Sequence, residues 1–131
     1  SGTDALTLAL MGLGIGEGDE VITVSHTAVA TAAAIMRTGA KPVLIDIEPD
    51  YFTLDPTKLD AVLSDKTKAF VPVHLYGQAA DLDAICAIAK SQGVAIVEDC
   101  AQSVGGSYGA AKLGAIGDAG SFSFFPTKNR S

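Results

Sequence analysis

Basic residues are scarce in this chain. Nine Lys and Arg stand against fifteen Asp and Glu in 131 residues, a formal net charge of −6, with a pI near 4.6. That balance excludes the basic stripe that a nucleic-acid backbone requires, and it disfavours anionic lipid surfaces. Cysteine is almost absent too. Cys86 and Cys100 are too few for a disulfide framework or a metal set. Both are expected as reduced, small core residues, which fits the cytosol. No window holds eighteen uncharged apolar residues, so no membrane span is expected. No basic stretch leads into an apolar core and cleavage site, so no secretory signal is visible. Repeats, low-complexity tracts and linkers are missing. So is an initiator methionine: the chain opens at Ser1 inside an apparent motif. The expectation is that a true N-terminus, and any signal on it, lies outside this sequence.

What the chain has is apolar alternation. Apolar residues make up 48 % and mean hydropathy is +0.34, enough for the core of one domain or part of one. Leu6, Ala9, Leu10 and Leu13 fall on one helix face, and Gly14 and Gly16 end that helix. "EVITVS" (20–25) predicts a strand. Residues 27–37 are alanine-rich and apolar all round, which predicts a deeply buried helix, closed by Arg37 and Gly39. "PVLIDI" (42–47) is a second strand. Asp55 and Pro56 give an N-cap and first-turn proline to a helix with Leu59, Val62 and Leu63 inward. "AFVPVHL" (69–75) is a third strand, with Pro72 a poor fit to its centre. Asp81 caps a helix that turns Leu82, Ile85, Cys86 and Ala89 inward. "VAIVED" (94–99) and "GSFSFF" (120–125) are the fourth and fifth strands. Alternating strands and helices with continuous apolar strands predict an α/β fold, a three-layer sandwich around a mostly parallel sheet.

Ligands of such sheets bind outside the carboxyl ends of the strands. The polar residues expected there are Ser25, His26, Asp46, His74, Tyr76, Asp99, Gln102 and Lys128. "GLGIGEGD" (12–19) is no dinucleotide fingerprint. Its glycines recur every second residue and lie between a helix and a strand, so it reads as a helix stop and turn. His26 and His74 stand alone in sequence, without the spacing of metal ligands, and no metal is expected. Asp81 and Asp83 are first-turn helix acids, and Lys66 and Lys68 flank a turn. "VEDCAQ" and "SFSFFPTK" are more informative. A carboxylate at a strand end needs a cationic partner if buried. Lys128 can be that partner in a plain salt bridge with Asp99. Equally, it can be a nucleophilic amine of depressed pKa. The residues alone leave both readings open.

The stretches "SGTDAL", "GEGDEVIT", "GAKPVLIDI", "VHLYGQAADLDAI", "VEDCAQSVGGSYG" and "GDAGSFSFFPTKN" run in order through almost the whole chain. Together they resemble the DegT/DnrJ/EryC/StrS family of pyridoxal-phosphate-dependent sugar aminotransferases. The resemblance implies the fold-type I, aspartate aminotransferase-like large domain, here incomplete. It also implies roles. Lys128 would form a Schiff base with the aldehyde of pyridoxal 5'-phosphate and then shuttle a proton as general base and acid. Asp99 would pair with the pyridinium nitrogen and keep it protonated. Gln102 would hydrogen-bond the phenolic oxygen side, and Ser123 would reach the phosphate. Thr3 and Asp4 open the first helix, whose free N–H groups and positive dipole end favour a phosphate. Thr3 can equally serve as an N-cap.

The chain departs from the family in two places. Family members often carry a ring-stacking aromatic where this chain has Ala28; either His26 or another residue covers the ring instead, or the stacking is weaker. Family members also continue "KN" with Leu-Gly and a long remainder, whereas this chain has Arg130 and Ser131. The resemblance therefore implies that residues 1–131 are part of a cofactor-binding large domain, without the N-terminal arm and C-terminal small domain. Alone they would be a poor enzyme or none. The implied parent is a cytoplasmic homodimer that moves an amino group, usually from glutamate, to a nucleotide-linked keto sugar. Its product would enter surface polysaccharide or secondary-metabolite glycosides. Related dehydratases replace the lysine with histidine, so Lys128 weighs against them. A non-catalytic sensor and a cofactor-free, salt-bridged structural domain are the other readings.

Overall fold

The computed structural model describes residues 2–25, 29–50, 53–74, 81–100, 107–108, 111–112 and 117–121. Strands β1 (Glu20–Val24), β2 (Lys41–Ile45), β3 (Thr67–Val71), β4 (Ala95–Asp99) and β7 (Ala119–Ser121) form one sheet in the order β2-β1-β3-β4-β7. Every pairing in it is parallel. Strands β5 (Ser107–Tyr108) and β6 (Ala111–Lys112) form a small antiparallel pair that the sequence pattern does not announce. Helices α1 (Gly2–Gly12), α2 (Val29–Arg37), α3 (Leu59–Val62) and α4 (Leu82–Gln92) fill the connections.

The continuous apolar strands have a simple cause. Neighbouring side chains point to opposite faces, and both faces are covered. Ile22, Phe70 and Ile96 pack with Leu59, Ile85 and Ala89 from α3 and α4. Val21, Val71 and Val97 pack with Leu6, Leu10, Ala34 and Ile35 from α1 and α2. Each fully buried Leu, Ile or Phe contributes about 1.5–3 kcal/mol. In β1, Thr23 is buried and donates its hydroxyl to the Val71 carbonyl of β3 at 2.8 Å.

Helix ends follow their capping residues. Asp55 accepts from the Thr57 N–H ahead of a 3-10 turn (Pro56–Lys58) that leads into α3. Asp81 accepts from the Ala84 N–H, and α4 stops at Gly93 with φ 66°. Gly14 and Gly18 also adopt positive φ, 80° and 89°, as a helix stop and turn require.

Three expectations need correction. First, α2 is not deeply buried: Thr31, Ala34 and Ile35 face inward, while Val29 is 85 % and Met36 63 % exposed. Its apolar outer face packs on nothing among the described residues, so alanine content overstated burial. Second, β3 ends at Val71. Pro72 has no N–H for the ladder, and pairing resumes only as a single bridge between Val73 and Asp99. Third, α1 ends at Gly12, so Leu13 leaves the helix face and is exposed.

Candidate active site

Asp99 is the last residue of β4 and is only 7 % exposed. Its backbone is fixed by the chain beyond the β3 break. The Asp99 N–H donates to the Pro72 carbonyl at 2.9 Å, and the Asp99 carbonyl accepts from the His74 N–H at 3.1 Å. On its other side, Asp99 pairs with Ser121 of β7. The Thr31 hydroxyl, from the first turn of α2, donates to Asp99 Oδ2 at 2.7 Å within the protein interior. A carboxylate is thus held at the carboxyl edge of a parallel sheet, where α/β proteins bind ligands.

Side chains alternate along β4, so Glu98 lies on the opposite face from Asp99. It is fully buried, as is His74. His74 Nε2 lies 3.1 Å from Glu98 Oε2, and the Gly117 N–H donates to Glu98 Oε1 at 2.5 Å. With Cys100, these two residues bring three potential ligand atoms within 4.8 Å of one another. His74 is therefore not alone, as its isolation in sequence suggested; its partner sits on the neighbouring strand. Both Glu98 oxygens already accept from protein donors. Burial, reinforced by the charges of Glu98 and Asp99, pushes the Cys100 thiol up to about 12. The His74–Glu98 contact ties β4 to the segment that follows β3.

Of the other expected positions, Thr3 and Asp4 lie in the first turn of α1. The Thr3 carbonyl accepts from the Thr7 hydroxyl at 2.8 Å, and Asp4 meets Arg37 at 2.8 Å on the surface. Ser25 and Asp46 follow β1 and β2. Ser25 Oγ lies 3.5 Å from Asp46 Oδ1, and Lys58 Nζ lies 4.0 Å from Asp46 Oδ2. His26, Ala28, Tyr76, Gln102, Ser123 and Lys128 lie outside the described residues. The residue that sequence reasoning missed is Thr31. Its signal was there: a hydroxyl in the first turn of an otherwise apolar, alanine-rich helix.

The model of the DegT/DnrJ/EryC1/StrS aminotransferase family matches residues 1–130. A pleiotropic regulatory protein of Geobacillus stearothermophilus is 52 % identical over 98 % of this chain, which covers 35 % of that protein. A UDP-2-acetamido-2-deoxy-3-oxo-D-glucuronate aminotransferase of Pseudomonas aeruginosa is 50 % identical over 98 % of the chain and 36 % of its own length. Among solved structures, the PLP form of a sugar aminotransferase from Streptococcus pneumoniae superposes with a TM-score of 0.94 at 34 % identity. That match covers 100 % of this chain and 37 % of that one. The chain thus spans about a third of the length of the relatives it matches.

Proposed function

Because this chain belongs to the DegT/DnrJ/EryC1/StrS aminotransferase family, we propose that the whole protein is a pyridoxal-phosphate-dependent aminotransferase acting on a nucleotide-linked keto sugar. The observation that carries this reading is Asp99, a buried carboxylate aimed from the sheet's carboxyl edge by Thr31. Its setting fits the cofactor. A carboxylate at this edge accepts hydrogen bonds from a proton-bearing cation, and a pyridinium N–H is one. When bound, pyridoxal phosphate supplies an electron sink through which an amino group leaves one carbon skeleton and enters another.

The chain's own residues do the rest. Asp99 holds the proton on the ring nitrogen. Gln102 would hydrogen-bond the phenolic oxygen, and His26 would be the candidate to cover the ring where Ala28 offers no aromatic. Ser123 and the N–H groups at Thr3 and Asp4 hold the phosphate, since a helix N-terminus carries unsatisfied donors and positive partial charge. Lys128 Nζ would hold the cofactor aldehyde carbon covalently, be released from it when the incoming substrate amine takes its place, and as the freed amine take and return the proton at the substrate carbon.

Residues 1–131 are then part of the large domain, and the N-terminal arm and small domain lie elsewhere in the protein. Glutamate is the proposed donor, and surface polysaccharide or a secondary-metabolite glycoside the destination. The site is proposed to be completed in a homodimer. The exposed apolar residues Leu8, Met11, Val29 and Met36 support a covering partner for α1 and α2. A cytoplasmic setting belongs to the same proposal, because both cysteines are free thiols. No helix among the described residues is long and apolar enough to cross a membrane.

The test is spectroscopic. Whole protein mixed with pyridoxal phosphate should develop a visible absorbance band that Lys128→Ala abolishes. Glutamate should bleach the band, and a nucleotide-linked keto sugar should restore it. A protein that develops no band is not this enzyme.

A further inference from the structure

We infer that Thr31 is a positioning residue for the cofactor, acting through Asp99. The inference rests on the cofactor reading above. The Thr31 hydroxyl and Asp99 Oδ2 are 2.7 Å apart and buried, and they join residues 68 positions apart in the chain. That distance lies within the range expected when a hydroxyl meets a carboxylate. An ionised carboxylate only accepts, so Thr31 is the donor.

Geometry makes this bond more than a satisfied polar contact. The Asp99 backbone is locked by Pro72 and His74, but rotation of a carboxylate about its last torsion is broad and poorly staggered. Backbone bonds cannot fix that rotation. A hydroxyl on one oxygen can, and threonine is the stiffer way to supply it because its branched Cβ restricts χ1. The donor also comes from a different layer. α2 packs against α1 on one face of the sheet, with Ala34 and Ile35 in the same core as Leu6, Leu10 and Val97. Thr31 therefore sets the plane of the carboxylate relative to α1, whose first turn is the proposed phosphate site. It fixes the ring-nitrogen end of the cofactor against its phosphate end.

The experiment measures the dissociation constant of pyridoxal phosphate for the whole apo-protein, in the native form and in Thr31→Val, Thr31→Ala and Thr31→Ser. The two variants lacking the hydroxyl should bind about tenfold more weakly, and Thr31→Ser should stay within about threefold of native. Repeated in an Asp99→Ala background, loss of the Thr31 hydroxyl should change affinity by less than about twofold, because the coupled partner is gone. Thr23→Val is the control. It removes another buried hydroxyl and should lower the melting temperature while leaving affinity alone. If Thr31→Val does not fold, Thr31→Ala carries the comparison, since alanine is the best helix former. Native affinity in the variants lacking the hydroxyl, or an equal loss with and without Asp99, would overturn the inference. Native protein that does not bind the cofactor would overturn the cofactor reading with it.

Discussion

At the residue scale, two adjacent acids of β4 do different work because the strand turns them to opposite faces. Asp99 is held by Pro72, His74 and Thr31, whereas Glu98 is tied to His74 and Gly117. Removing Glu98 would leave a buried imidazole without this partner. Glu98→Ala should cost about 3 kcal/mol in a denaturant titration, in the range for a broken buried pair. Cys100 gives a pH prediction. Its ordinary value is 9.0, and burial raises it to about 12 in the folded state. Below pH 9 both folded and unfolded chains keep the proton, and its stabilisation is fully present. As pH rises from 9 toward 12, the unfolded thiol ionises first and that stabilisation is lost. The urea midpoint should therefore fall across this window, and less steeply in Cys100→Ala. Asp99 was legible from sequence as a carboxylate at a strand end. Its link to Thr31 was not, because the bond spans 68 positions and two layers.

At the scale of elements, the local signals carried far. β1 and β4, and the caps Asp55 and Asp81, stand where alternation and capping chemistry put them. Burial was harder to read. Periodicity says which residues can share a face, but not whether another element arrives to cover it, as Val29 and Met36 on α2 demonstrate. The hairpin of β5 and β6 has strands of two residues each, too short for any period to appear. Close approach of backbones is also invisible in sequence. A Cβ at Gly117 would stand 2.7 Å from Ile96 Cγ2 and 2.9 Å from the Ile96 carbonyl oxygen. Gly117→Ala should destabilise by about 1–3 kcal/mol through overpacking. Gly12→Ala, at the end of α1 with nothing within 4 Å of the added carbon, should be neutral or gain up to about 1 kcal/mol from helix propensity. Melting curves of the two variants would show opposite or clearly separated shifts.

At the scale of the molecule, the chain supplies a sheet, two helical layers and a carboxylate at the sheet's edge, within about a third of the length of its relatives. Leu8, Met11, Val29 and Met36 are exposed on α1 and α2, the surface proposed above to take a covering partner. The central claim is that Lys128 and Asp99 serve one cofactor. Its most direct measurement is borohydride reduction of the whole protein after incubation with pyridoxal phosphate, followed by digestion and mass spectrometry. The account predicts one reduced pyridoxyl adduct, on the peptide carrying Lys128, with occupancy that falls when Asp99 is replaced by alanine. An adduct on other lysines with Lys128 unmodified would contradict it.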